Sequence, residues 1–138
     1  MNVAAALART LSEAPPDGVT AVYLFGSHAE GRAHSESDVD GGVLLSWVEF
    51  PTRSRRFDER VRLSAWISAE LGLPSIDLVV LNDAPPGLAR RVVTAGQRVF
   101  CADDEAARAF TRDTQLRAAD LEPFLRRTRR TKLEAIAR

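Results

Sequence analysis

Apolar residues recur along the chain in two periods, and the change from one to the other marks out the elements. Val3, Leu7 and Leu11 share one helical face, which predicts a helix over 3–14 ended by Pro15-Pro16-Asp17-Gly18. Val19 to Phe25 is β-branched and aromatic without a breaker, the pattern of a buried strand. After a short polar stretch, Val39 to Leu45 reads as a second strand, and the Gly41-Gly42 pair reads as a bulge within it. Phe57, Val61 and Ala65 with Leu63, Ile67 and Leu71 give a one-sided helix over 57–71, closed by Gly72 and Pro74.

Ile76 to Leu81 is a third strand, Pro85-Pro86-Gly87 opens a short helix that Gly96 ends, and Gln97 to Cys101 is a brief fourth strand. Asp103 is placed to cap a further helix whose first turn carries Asp104 and Glu105. Pro123 lacks the amide a helix interior needs, so 104–122 and 124–138 read as two helices or one that kinks. The fold class is therefore α/β, with a small mixed sheet of about four strands flanked by helices and a helical C-terminal extension. At 138 residues, 45% of them hydrophobic, the chain suits one domain: an α/β core over 1–101 and a helical tail over 102–138.

Charge adds little for the whole molecule, because nineteen Lys and Arg balance nineteen Asp and Glu. Direct nucleic-acid binding or attachment to an acidic membrane is not expected of such a balance. The balance is uneven, however: residues 126–138 carry six basic side chains against Glu134. That segment is either a solvated face or a docking surface for a partner. The single cysteine, Cys101, excludes an internal disulfide and suits a reducing cytoplasm. No apolar run approaches the roughly 20 residues a membrane span requires, and no export signal is visible.

The chemistry lies in a few positions: Gly26-Ser27 at a strand end, then Asp38-Val39-Asp40, then Asp77 opening another strand. Side chains alternate along a strand, so Asp38 and Asp40 share a face, and Asp77 joins them if its strand lies alongside in register. At 4 Å and an effective dielectric near 20, each pair of carboxylates repels by roughly 4 kcal/mol, so a trio costs about 12 kcal/mol. Either protons or a divalent cation must relieve this, and hard oxygen donors with room for water and phosphate favour Mg²⁺. A glycine and a serine facing the cluster would offer a close backbone approach and a hydroxyl to a phosphate oxygen. Adjacent metal and phosphate sites suit nucleotidyl transfer.

Gly26-Ser27, Asp38-Val39-Asp40 and the run Ile76 to Pro86 resemble the minimal nucleotidyltransferases of the DNA polymerase β-like superfamily, and among them the MntA-type antitoxins. The resemblance implies a Mg²⁺-dependent protein adenylyltransferase that moves AMP from ATP onto a tyrosine of a HEPN-type ribonuclease toxin, HepT, in a hetero-oligomer with it. By position, Asp38 and Asp40 would hold two Mg²⁺ ions on the triphosphate, and Asp77 would share the catalytic ion and help deprotonate the acceptor. Gly26 and Ser27 would bind the terminal phosphates. The chain departs from the family at His28 and Glu30, where arginines are common, and at Gly41-Gly42, where larger apolar residues are usual. These changes imply a weaker positive field near the triphosphate and a looser strand.

Plainer readings stand beside these. Gly26 to Arg32 imitates a phosphate loop, but Arg32 and Ala33 replace its Lys and Ser/Thr, and a strand follows instead of a helix. His28 reads as a turn residue, Cys101 as a small apolar residue ending a strand, Trp47 and Trp66 as packing, and Arg90-Arg91 as a solvated helix face. Two rival functions remain open: a catalytically silent antitoxin on the same fold, and a small-molecule, antibiotic-modifying nucleotidyltransferase.

Overall fold

The computed structural model describes residues 1–26 and 39–137, with side chains described through residue 120 and at Arg127. The predicted site residues Ser27 and Asp38 lie outside the described residues, as do His28, Glu30 and Arg32.

Among the described residues the elements follow in the order α1 (Val3–Glu13), β1 (Val19–Phe25), β2 (Val39–Leu45), α2 (Arg53–Leu71), β3 (Ile76–Val80), a 3-10 turn (Leu81–Asp83), α3 (Pro86–Ala95), β4 (Gln97–Cys101) and α4 (Asp104–Ala137). Three helices start at caps written in the sequence. The side-chain oxygens of Asn2, Thr52 and Asp103 accept from the amides of Ala5, Arg55 and Ala106 at 3.1, 3.2 and 3.0 Å.

The strands form one sheet in the order β3-β2-β1-β4. β1 runs antiparallel to both β2 and β4, whereas β2 and β3 are parallel, joined across the sheet by α2. This is the mixed four-stranded α/β sheet that the pattern predicts. One face packs Val39, Val43, Leu45, Ile76 and Leu78 against Val3, Leu7 and Leu11 of α1 and Leu63 and Ile67 of α2. The other packs Ala21, Tyr23 and Leu44 against Val92 of α3 and Ala107 of α4. Ala107, Thr114 and Ala118 are buried, so the first half of α4 is a layer of this core.

Three expectations need correction. Gly41-Gly42 is not a bulge: pairing runs unbroken from Phe25↔Asp40 to Val22↔Val43, and the irregularity of that ladder falls between Val19 and Ala21. The reason lies in close packing on both faces. A β-carbon at residue 41 would meet Leu78 Cδ2 at 2.8 Å, and one at residue 42 would meet Val92 Cγ1 at 2.9 Å. The strand is therefore held closely by its neighbours at this pair, where the departure from the family implied a looser strand. α2 begins four residues before Phe57, at Arg53, and its one buried side is not the full stripe read: Arg56, Glu59, Leu63 and Ile67 are buried while Phe57 and Val61 are 54% and 50% exposed. β3 stops at Val80, and Leu81 opens the 3-10 turn. Of the two readings of the C-terminal segment, the single helix holds: α4 runs from Asp104 to Ala137 through Pro123, whose missing amide removes one backbone bond.

Candidate active site

The strand register brings Asp40 and Asp77 together. Asp40 pairs with Asp77 across the parallel β2–β3 ladder and with Phe25 across the antiparallel β1–β2 ladder. Residues directly opposite in a sheet point to the same face, so both carboxylates stand on the α3/α4 face, on strands about 4.8 Å apart. Asp40 is half-buried and Asp77 exposed. They lie where β1 ends and β2 and β3 begin.

Gly26 completes the described part of the site. It follows β1 directly with φ +75, in the left-handed region, and a β-carbon there would lie 3.0 Å from Asp40 Oδ2. Only glycine gives this turn without strain and leaves the backbone open beside that carboxylate. Among the described residues no third His, Cys, Asp or Glu joins a metal-sized cluster, and the third acid read from the sequence, Asp38, lies outside them. Two hard oxygen donors on the same face of adjacent strands are a chemical fit for a divalent cation.

At the far end of β2 and β3 from these acids lies a polar brace that sequence reasoning missed. The Arg56 guanidinium is buried and donates to both oxygens of Asp83, at 3.0 and 2.8 Å, and to the Phe50 carbonyl at 2.9 Å. It also lies 4.9 Å from the centre of the exposed Trp47 ring. Hydrogen bonding to Asp83 pushes the pKa of Arg56 further up, against the opposing effect of burial. Beside it, Asn82 pairs through its side chain with the amide and the carbonyl of Leu45, both at 2.9 Å. Thus the turn after β3 is tied to both α2 and the end of β2, which fixes that end of β3 against β2. The spacing of Arg56 from Asp83 gives no local signal, although Asn82-Asp83 sits inside the motif that carried the resemblance.

Residues 7–105 match the family model described as Polymerase beta, Nucleotidyltransferase, and the chain belongs to that family. Among curated proteins it is similar to Protein adenylyltransferase MntA of Shewanella oneidensis, 30% identical over 79 residues that make up 57% of this chain and 52% of that protein. It is also similar to Protein adenylyltransferase MntA of Thermococcus cleftensis, 33% identical over 76 residues, 55% of this chain and 70% of that protein. The match thus spans about half the length of the Shewanella relative. Among solved structures, a toxin–antitoxin with AMP-PNP aligns with a TM-score of 0.62 at 23% identity over 98% of both chains. The complex of tri-AMPylated Shewanella oneidensis HEPN toxin with MNT antitoxin aligns with a TM-score of 0.61 at 21% identity over 100% of both. At such identities these structures establish the fold. No described helix is long and apolar enough to cross a membrane.

Proposed function

We propose that the chain is an antitoxin that acts as a protein adenylyltransferase, moving AMP from ATP onto a tyrosine of a HEPN-type toxin, HepT, and so silencing its ribonuclease. The observation that carries this reading is the pairing of Asp40 with Asp77 on one face beside the left-handed Gly26. The relatives named as protein adenylyltransferases, and the solved HEPN toxin–MNT antitoxin complexes of the same fold, supply the substrate class.

In this account Asp38, Asp40 and Asp77 are the catalytic acids and would hold Mg²⁺, two ions in the full complex. When bound, Mg²⁺ supplies charge neutralisation along the triphosphate and on the departing pyrophosphate. Gly26 leaves room for a phosphate oxygen to approach the backbone, and the Ser27 hydroxyl donates to the terminal phosphates. The exposed Asp77 carboxylate takes the proton of the incoming tyrosine hydroxyl. A bond forms from that oxygen to the α-phosphorus, the bond from the α-phosphorus to the bridging oxygen breaks, and pyrophosphate leaves. The helical segment 102–138, with its basic end, docks the toxin, and the pair works in the cytoplasm.

The test is to incubate the HEPN toxin with this chain, ATP and Mg²⁺, map AMP adducts by mass spectrometry and assay ribonuclease activity. Adducts on a toxin tyrosine with matching loss of cleavage are expected. Silencing without an adduct would establish the catalytically silent antitoxin instead. Self-labelling does not confuse the result, because the chain's one tyrosine, Tyr23, is 4% exposed.

A further inference from the structure

α3 crosses one face of the sheet obliquely, from the far end of β3 to the end where β1 stops, and two glycines let it lie close. A β-carbon at residue 42 would meet Val92 Cγ1 at 2.9 Å, and one at residue 96 would meet the Leu24 carbonyl oxygen, also at 2.9 Å. These seats fix the helix in rotation as well as in height, with Val92 turned down onto β2. Position 42 lies two residues along that strand from Asp40 and on the same face, a distance of roughly 7 Å.

Successive helical residues turn by about 100°, so Val93 and Arg91 leave Val92 on opposite flanks. Val93 packs into the cluster that Ala107 of α4 joins, which makes its flank the α4 side. α4 in turn borders the other end of β2, where Ala106 and Phe110 stand across a cavity from Leu44 and Ser46. The flank that carries Arg91 is therefore the one toward Asp40 and Asp77. Arg91 is exposed, and among the described residues its guanidinium has no ion pair. Other arginines around the sheet are engaged: Arg53 and Arg56 with Asp83, Arg60 with the Leu78 carbonyl and Arg98 with Asp104.

From this we infer that Arg91 is a nucleotide-binding residue, whose guanidinium takes oxygens of the ATP triphosphate on the α3 side of Asp40 and Asp77. The inference rests on the proposed adenylyl transfer and adds a fixed cation to its site. Carboxylates and a polyphosphate gather negative charge of which a divalent cation offsets only part. A guanidinium offers its planar fork to two phosphate oxygens at once and stays charged at any working pH. The tyrosine acceptor is neutral until it loses its proton, so it gives a cation on this flank no comparable partner. Arg90, one residue earlier, is turned about 200° from Val92, away from the sheet, and serves as the control.

The experiment uses the full chain, Mg²⁺ and a fluorescent ATP analogue displaced by ATP or by adenosine, with α-phosphate label from ATP reading transfer to the HEPN toxin. Arg91→Gln is expected to weaken ATP roughly tenfold and to leave adenosine unchanged. Arg91→Lys keeps the charge, loses the fork and recovers part of the loss. Arg90→Gln binds both as wild type does, and all three variants keep the wild-type melting temperature because the side chains are exposed. In transfer, Arg91→Gln raises the KM for ATP and leaves that for toxin alone. Undiminished ATP binding by Arg91→Gln, an equal loss for adenosine, an equal loss in Arg90→Gln, or a rise confined to the KM for toxin would overturn the inference. ATP binding that depends on Arg91 in a protein that labels no toxin leaves the inference standing and removes the adenylyltransferase reading. Transfer whose KM for ATP ignores the substitution does the reverse.

Discussion

A β-carbon placed on residue 26 would sit 3.0 Å from Asp40 Oδ2. Gly26 is therefore a spacer for the carboxylate as well as a turn residue, and the two roles separate in the Gly26→Ala protein. The left-handed backbone, at φ +75, costs an alanine about 1–2 kcal/mol, which urea unfolding reads. Displacement of Asp40 lowers kcat/KM for ATP by roughly ten- to a hundredfold. If Gly26→Ala loses stability yet keeps its activity, the spacer role is wrong.

Arg56 and Asp83 act as one unit, and their neighbour Arg53 does not belong to it. The side chains of Arg56 and Asp83 are 8% and 18% exposed, whereas that of Arg53 is 78% exposed and 3.6 Å from Asp83. Arg56→Ala strands a largely buried carboxylate and should cost about 3–5 kcal/mol in chemical unfolding. Arg53→Ala should cost under about 1 kcal/mol. Similar losses from the two would show that the brace carries no special weight.

Much of the fold was legible because the strands are short, apolar and bounded by breakers: the extents of β1, β2 and β4 match their patterns. α2 was read from its apolar residues, which hid both its true start and its true inner face. Its N-terminus is signalled by Thr52, not by periodicity, and its buried side includes Arg56 and Glu59, which no hydrophobic template selects. Pairing of Asp40 with Asp77 was conditional on a register that period alone does not set. That register depends on the crossover through α2 and on the contacts of Asn82 and Asp83, which join residues 37 and 27 positions apart. Gly41-Gly42 misled because glycine within a strand signals either a bulge or close packing, and only the neighbours Leu78 and Val92 decide which.

Tyr23 predicts a pH dependence. Burial pushes its phenol up from the ordinary value of 10.0, while Arg98 and the Thr111 hydroxyl pull it back. A folded pKa above the unfolded one means that the folded state holds the proton more tightly. The contribution is complete below the unfolded value and is lost as pH rises through the folded one. Stability should therefore decline in alkali above about pH 10, and Tyr23→Phe should flatten that limb. Because Tyr23 is the only tyrosine, tyrosinate absorbance of folded and urea-unfolded protein reads the shift directly. Coincident titration curves would refute it.

The most direct measurement is the single-turnover rate of AMP transfer to the HEPN toxin by Asp77→Asn at saturating ATP and Mg²⁺, with folding verified by an unchanged melting temperature. The substitution keeps the side chain's shape and removes its charge and its ability to take a proton. The account predicts a fall of at least about a hundredfold, matched by Asp40→Asn. A rate within a few-fold of wild type for Asp77→Asn would mean that the chemistry is done elsewhere on the protein.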